Sequence, residues 1–154
     1  MSQPPPDLPA SPGRWFTWSE LSQSGAAARL GLDNSIPEAE AWNLAALCAH
    51  LLDPLRALVG PIRITSGYRS PRVNEAIGGS KTSDHMRGWA VDLKAHRLSA
   101  MGVAQEVKAA GLLFDQLIVY HPSRGGHVHL GGGPRMRGQI LYAPEGGGYR
   151  RLRL

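Results

Sequence analysis

Cysteine is all but missing from this 154-residue chain, and the single Cys48 excludes an internal disulfide, so the fold does not depend on an oxidising compartment. Leu47 and Leu51 flank it in an apolar run, which predicts a buried, inert thiol. No apolar run is long enough to span a membrane, and no N-terminal basic, apolar and small-residue pattern resembles a secretory signal. Synthesis in the cytoplasm without a cleaved leader is the expectation from that. No internal repeat is present, and no DNA- or RNA-binding motif appears. Acidic residues are the scarcer charge, 12 against 17 Lys and Arg, for a formal charge of +5 that favours anionic partners by long-range attraction. The basic residues are scattered except for Arg135, Arg137, Arg150, Arg151 and Arg153, a distribution that reads as a solvated basic surface rather than a nucleic-acid face.

What is present suits one domain able to bury a core of its own, with 42% hydrophobic residues and turns supplied by 19 Gly and 12 Pro. Residues 1–13 hold five prolines and little apolar content, and read as a flexible leader to a single domain over residues 14–154. Trp15, Phe16 and Trp18 are expected to anchor a short helix over Ser24 to Leu30, ended near Gly31. From Glu38 to Val59, Leu44, Leu47, Leu51, Leu55 and Leu58 recur at helical spacing, with a kink expected near Asp53 because Pro54 removes a backbone hydrogen bond. Ile62 to Thr65 alternates as a strand does, Ser66 to Arg87 reads as irregular, and Gly88 to Leu93 as a second strand. Leu98 to Ala110 reads as a helix, and Phe114 to Tyr120, His127 to Leu130 and Arg137 to Ala143 as further strands. The pattern is α+β: N-terminal helices packed on a small antiparallel sheet.

A chemical constellation sits on those strands. A hydrolytic metal site needs three protein ligands, usually His and carboxylate, and an open fourth position for water. His85 closes the irregular segment, Asp92 follows within a strand, and Gly88 permits a sharp backbone entry between them. His127 and His129 are two apart, so both project from one face of their strand. If those strands pair, Asp92 and one or both histidines converge while His85 reaches in from its loop.

Ser83-Asp84-His85-Met86-Arg87-Gly88-Trp89-Ala90-Val91-Asp92 matches Ser-x-His-x-x-Gly-x-Ala-x-Asp. That pattern resembles the signature of the M15 family of D-alanyl-D-alanine carboxypeptidases and related peptidoglycan endopeptidases. His127-Val128-His129 is similar to the His-x-His motif of the wider group that includes lysostaphin-type peptidases and the hedgehog domain. Ile64 to Ser70, Asn74, Gly78-Gly79-Ser80 and Phe114 to Ile118 extend the likeness over roughly Trp15 to Ala143, nearest to compact forms carried by phages and prophages. The resemblance implies zinc held by His85, Asp92 and His129, with His127 beside the metal as a catalytic group. It further implies Arg69 near a substrate carboxylate or carbonyl, with Ser83 as a substrate contact or a turn-stabilising hydroxyl. The implied activity is hydrolysis of an amide bond in peptidoglycan stem peptides by a monomer with no nucleic-acid partner and no membrane insertion. Such an enzyme would reach the wall after lysis, through a holin or in a phage particle.

One part of the family pattern is absent. Relatives carry an acidic residue just after the strand equivalent to Phe114 to Ile118 or just before the last ligand, where this chain has Tyr120 and Gly126. The general base is therefore open among His127, His121 and Asp115, and a zinc-containing wall-binding domain with weak or no hydrolysis is the alternative.

Overall fold

A computed structural model describes residues 7–154. The first part is helical. Helix α1 (Trp18–Ser22) opens on a reciprocal cap: the Thr17 hydroxyl accepts from the Glu20 amide at 3.1 Å, while the Glu20 carboxylate accepts from the Thr17 amide at 2.7 Å. Helix α2 (Gly25–Leu30) is capped by Ser24 and stops at Gly31, which takes the left-handed conformation at φ 63°. Of the proline-rich start, residues 1–6 lie outside the described residues. Residues 7–13 are irregular, and the Pro9 carbonyl accepts from the Trp18 indole at 2.9 Å.

The main helix runs as α3 (Glu38–Leu47), a π-helical turn (Cys48–Leu52) and α4 (Asp53–Val59). The kink expected from Pro54 takes the form of that wide turn, which accommodates the missing N–H immediately before the ring. Leu44, Leu47, Leu51 and Leu55 are fully buried, each a site where truncation to alanine costs about 2–5 kcal/mol. Leu58 is 50% exposed instead; Val59, four residues after Leu55, takes the core position. Trp15 is also outside the core, at 38% exposed, with the guanidinium groups of Arg14 and Arg56 over its ring. Phe16, as expected, is buried, and Cys48 is fully buried with its thiol pushed up to about 12 by desolvation.

The segment expected to be irregular contains helix α5 (Pro71–Ala76), with Pro71 in the first turn and Ser70 as its cap, and a 3-10 turn over Asp84–Arg87. Strands β1 (Ile62–Ser66), β2 (Ala90–Ala95), β3 (Gln116–Tyr120), β4 (Val128–Gly131), β5 (Gln139–Ala143) and β6 (Arg150–Arg151) form one sheet in the order β1-β2-β4-β3-β5-β6. All neighbours are antiparallel except β3 and β5. The exception follows from connectivity: after β4 the chain turns back and lays β5 on the free side of β3, in the same direction as β3. Helix α6 (Ala100–Ala109), capped by Ser99, packs Val103, Ala104 and Val107 into the core.

Strand alternation divides the sheet into two faces. Val91, Leu93, Leu117, Val119, Val128, Leu130 and Ile140 join the buried leucines of the main helix in one apolar cluster. The residues between them, Asp92, Ile118, Tyr120, His129 and Leu141, are therefore on the other face, where the chemistry lies. The architecture is α+β, with the main helix and α6 packed on one side of a mostly antiparallel sheet and α2 and α5 forming a smaller apolar cluster of their own.

Candidate metal centre

Register brings two of the three candidate ligands together. Asp92 on β2 is directly opposite His129 on β4, and His129 is in turn opposite Ile118 on β3. Opposed residues of an antiparallel pair project on the same side, so carboxylate and imidazole meet without help from any loop. The third arrives from the 3-10 turn, where the Ser83 hydroxyl accepts from the His85 amide at 3.3 Å. Gly88 ends that turn at φ 73°, and a Cβ there would stand 2.4 Å from the Glu40 carbonyl oxygen. Only glycine lets the chain pass the main helix and enter β2 two residues later. His85 is buried, and its Nδ1 donates to the Gly67 carbonyl at 2.8 Å, which leaves the lone pair of Nε2 facing the site.

The three atoms form a near-equilateral triangle. His85 Nε2 is 3.2 Å from His129 Nδ1 and 3.3 Å from Asp92 Oδ1, and His129 Nδ1 is 3.1 Å from the same oxygen. Ligands about 2.0–2.1 Å from a tetrahedral zinc lie about 3.3–3.4 Å from one another, so the observed spacing fits such an ion. Proton counting agrees. With His85 neutral, its Nε2 and the carboxylate carry no hydrogen, leaving at most one, on His129 Nδ1, for three close contacts; a cation satisfies all three acceptors at once. Burial pushes the Asp92 carboxyl upward, but the His85 and His129 imidazoles outweigh it and hold the group well below the usual carboxylate range.

Around the triad, His127 places Nε2 4.0 Å from Asp92 Oδ2 and stacks its ring on Tyr120, with centroids 4.2 Å apart and planes at 18°. Burial pulls the His127 pKa down, with Asp92 opposing, which favours the neutral imidazole. Arg69 Nη2 lies 3.9 Å from Asp92 Oδ2, while Nη1 donates to Asn74 Oδ1 at 3.1 Å and Nη2 to the Ser66 hydroxyl at 3.4 Å. It is held by Asn74 and Ser66, not by an ion pair with Glu75 or Asp84; Asp84 pairs with Arg87 at 3.4 Å. Asn74 is itself fixed by donating to the Ser80 carbonyl at 2.9 Å.

These groups border a cavity of about 490 Å³ whose lining includes His85, Asp92, His129, Arg69 and Ser83. His127 stands beside the triad at the edge of this cavity, with Nε2 4.0 Å from the Asp92 carboxylate. The other two candidate bases are not brought there. Asp115 is fully buried, and Arg137 donates to it through Nε at 2.7 Å and Nη2 at 3.0 Å. His121 is half-buried outside the cavity lining, and its Nδ1 accepts from the Ser123 amide as the cap of a short turn. Trp89 packs against Gly133 on the far side of the β4–β5 connection and borders a separate apolar groove.

Several cavity residues carried no local signal: Tyr120, Arg135, Arg137, Leu141 and Tyr149. The Tyr120 hydroxyl stands 3.4 Å from that of Tyr149, and burial and this neighbour raise its pKa, so it stays protonated and can donate. Arg124 clasps the β5–β6 hairpin by donating to the Gly148 and Pro144 carbonyls at 2.8 and 3.3 Å, with its guanidinium over both tyrosine rings. The turn into β4 runs through Gly125 at φ 108° and Gly126 at φ 64°, and a Cβ on Gly125 would be 2.7 Å from His127 Nδ1. A glutamate at 126 would be strained there, which gives the missing acid a backbone cause.

Comparison with known proteins agrees with this geometry. A family model described as Peptidase M15 matches residues 14–131. A zinc D-Ala-D-Ala carboxypeptidase of Streptomyces albus G is 30% identical over 135 residues, covering 86% of this chain and 50% of that protein. The chain thus spans about half the length of the curated relative it matches.

Proposed function

This chain belongs to the M15 peptidase family, and from that premise we propose that it is a zinc peptidase hydrolysing an amide bond in peptidoglycan stem peptides, of carboxypeptidase or endopeptidase type. The observation that carries the reading is the triangle of His85 Nε2, Asp92 Oδ1 and His129 Nδ1, with edges of 3.1–3.3 Å on the wall of an open cavity. When bound there, zinc supplies Lewis-acid polarisation of the scissile carbonyl and acidifies the attacking water.

The chain's own residues supply the rest. The His85 tautomer, set by the Gly67 carbonyl, keeps Nε2 as a ligand without rearrangement. Arg69, pre-positioned by Asn74 and Ser66, offers a planar pair of donors to a substrate carboxylate or carbonyl. Neutral His127 hydrogen-bonds the reacting oxygen and can take up or return a proton at Nε2. The Tyr120 hydroxyl, kept protonated, donates to the oxygen on which negative charge develops.

A second reading rests on the glycine turn at 125–126, which leaves no carboxylate at the place where relatives carry an acid: a zinc-containing wall-binding domain that hydrolyses poorly. One experiment separates the two. Metal content of the purified protein is measured by elemental analysis, beside release of amino acid or peptide from purified peptidoglycan, for wild type and His129→Ala. About one zinc per chain with hydrolysis, both lost in the variant, supports the peptidase. Zinc without hydrolysis supports the binding domain, and no zinc after reconstitution overturns the ligand assignment.

A further inference from the structure

Part of the cavity wall is built by the connection between β4 and β5, beyond the range matched by the family model. It brings two guanidinium groups, Arg135 and Arg137, to one carboxylate, Asp115. Asp115 is fully buried and already saturated, since it also accepts from the Arg137 amide at 3.2 Å. Arg137 spends Nε and Nη2 on it and is thereby held rigid, while Arg135 Nη2 stays 3.9 Å away and its side chain is 60% exposed. Two cations on one anion leave one positive charge uncompensated on the wall. The carboxylates in the lining are Asp84, which pairs with Arg87 and acts on Arg137 only through space, and Asp92, committed to the histidines, so neither is in ion-pair contact with Arg135.

Resting on the peptidase reading above, we infer that Arg135, supported by the Arg137–Asp115 pair, forms a second anion subsite of the cavity, which selects peptides with a free carboxylate apart from the one that Arg69 meets. A guanidinium with unspent donors, beside a rigid neighbour, binds a carboxylate better than its neutral carboxamide, because only the anion gains charge-assisted hydrogen bonds. Partial exposure limits the preference to about two- to fivefold.

The probes are two synthetic stem peptides, L-Ala-γ-D-Glu-L-Lys-D-Ala-D-Ala and the same peptide with the glutamate α-carboxylate as a carboxamide. Binding to the zinc-loaded protein is measured by calorimetry, and hydrolysis by product analysis, for wild type and Arg135→Gln. The expected result is about two- to fivefold tighter binding of the carboxylate form to wild type, falling to about onefold in Arg135→Gln. A melting curve checks that the variant is folded, and Arg135→Lys, which keeps the charge but not the planar pair of donors, is expected to restore only part of the preference. Equal binding of the two peptides by wild type, or an unchanged preference in Arg135→Gln, overturns the subsite while hydrolysis of either peptide leaves the peptidase reading standing. Preference without hydrolysis supports the subsite and removes the peptidase reading; no binding and no hydrolysis removes both.

Discussion

The floor and the far wall of the cavity are built on opposite principles. The floor is a register product: Asp92 and His129 are held on paired central strands above a dry core, and His85 is wedged in by a turn that only Gly88 allows. Its groups have little freedom, and a ligand atom displaced by an ångström would spoil a triangle whose edges are 3.1–3.3 Å. The wall is the segment after β4, with Arg135 and Tyr149 more than half exposed and a run of three glycines, Gly146 to Gly148, at the hairpin turn. The difference teaches a division of labour: chemistry on the packed strands, where preorganisation is inherited from the core, and recognition on the exposed return of the chain.

The comparison is most severely tested on the floor. His127→Ala is expected to keep about one zinc per chain and to lose about 10²–10⁴-fold in kcat, because His127 serves the reacting oxygen without holding the ion. Zinc analysis beside steady-state kinetics decides it; loss of the metal, or an unaltered kcat, would show that the ring acts otherwise.

A smaller effect is expected where floor and wall join. Asp115→Asn leaves Arg137 without its charged partner and should lower stability by about 1–3 kcal/mol. Burial works against the Asp115 carboxyl, but the hydrogen bonds and charge of Arg137 prevail and depress its folded pKa. A depressed pKa means the stabilisation is present above the unfolded value near 3.9 and disappears as pH falls through the folded one. The gap in denaturant midpoint between wild type and Asp115→Asn should therefore be full at pH 7 and shrink below about pH 4. An equal gap at pH 3 and pH 7 would show that the pair contributes by packing and not by charge.

The least effect belongs to the wall itself. Tyr149→Ala removes a ring on the hairpin and should raise KM by about two- to tenfold while kcat holds, since on this reading the ring meets the bound substrate away from the reacting atoms. A fall in kcat with KM steady would place Tyr149, through Tyr120, among the groups that act in the transition state.

Much of the fold was legible. The leucine spacing of the main helix, the alternation in β1 to β4 and the glycine stops at Gly31 and Gly60 each report a local rule, and the structure obeys them within a residue or two. Leu58 and Trp15 broke the pattern because helical phase past a wide turn, and the fate of an aromatic near a chain end, depend on what packs opposite. Helix α5 was concealed because, of its six residues, the buried ones are Val73 and the polar Asn74, and a single buried apolar side chain shows no period.

By itself the sequence determined the ligand types and their order, because residue identity and spacing along a strand are properties of the local chain. It also showed glycine, not an acid, at position 126; the left-handed backbone that disfavours a side chain there is seen only in the structure. Only the tertiary structure decided that β5 lies parallel to β3, and with it that Arg135, Arg137, Leu141 and Tyr149 share a cavity with residues far earlier in the chain. Which strand fills the open edge of β3 is settled by the packing of the whole sheet, and no local period in the sequence carries that information.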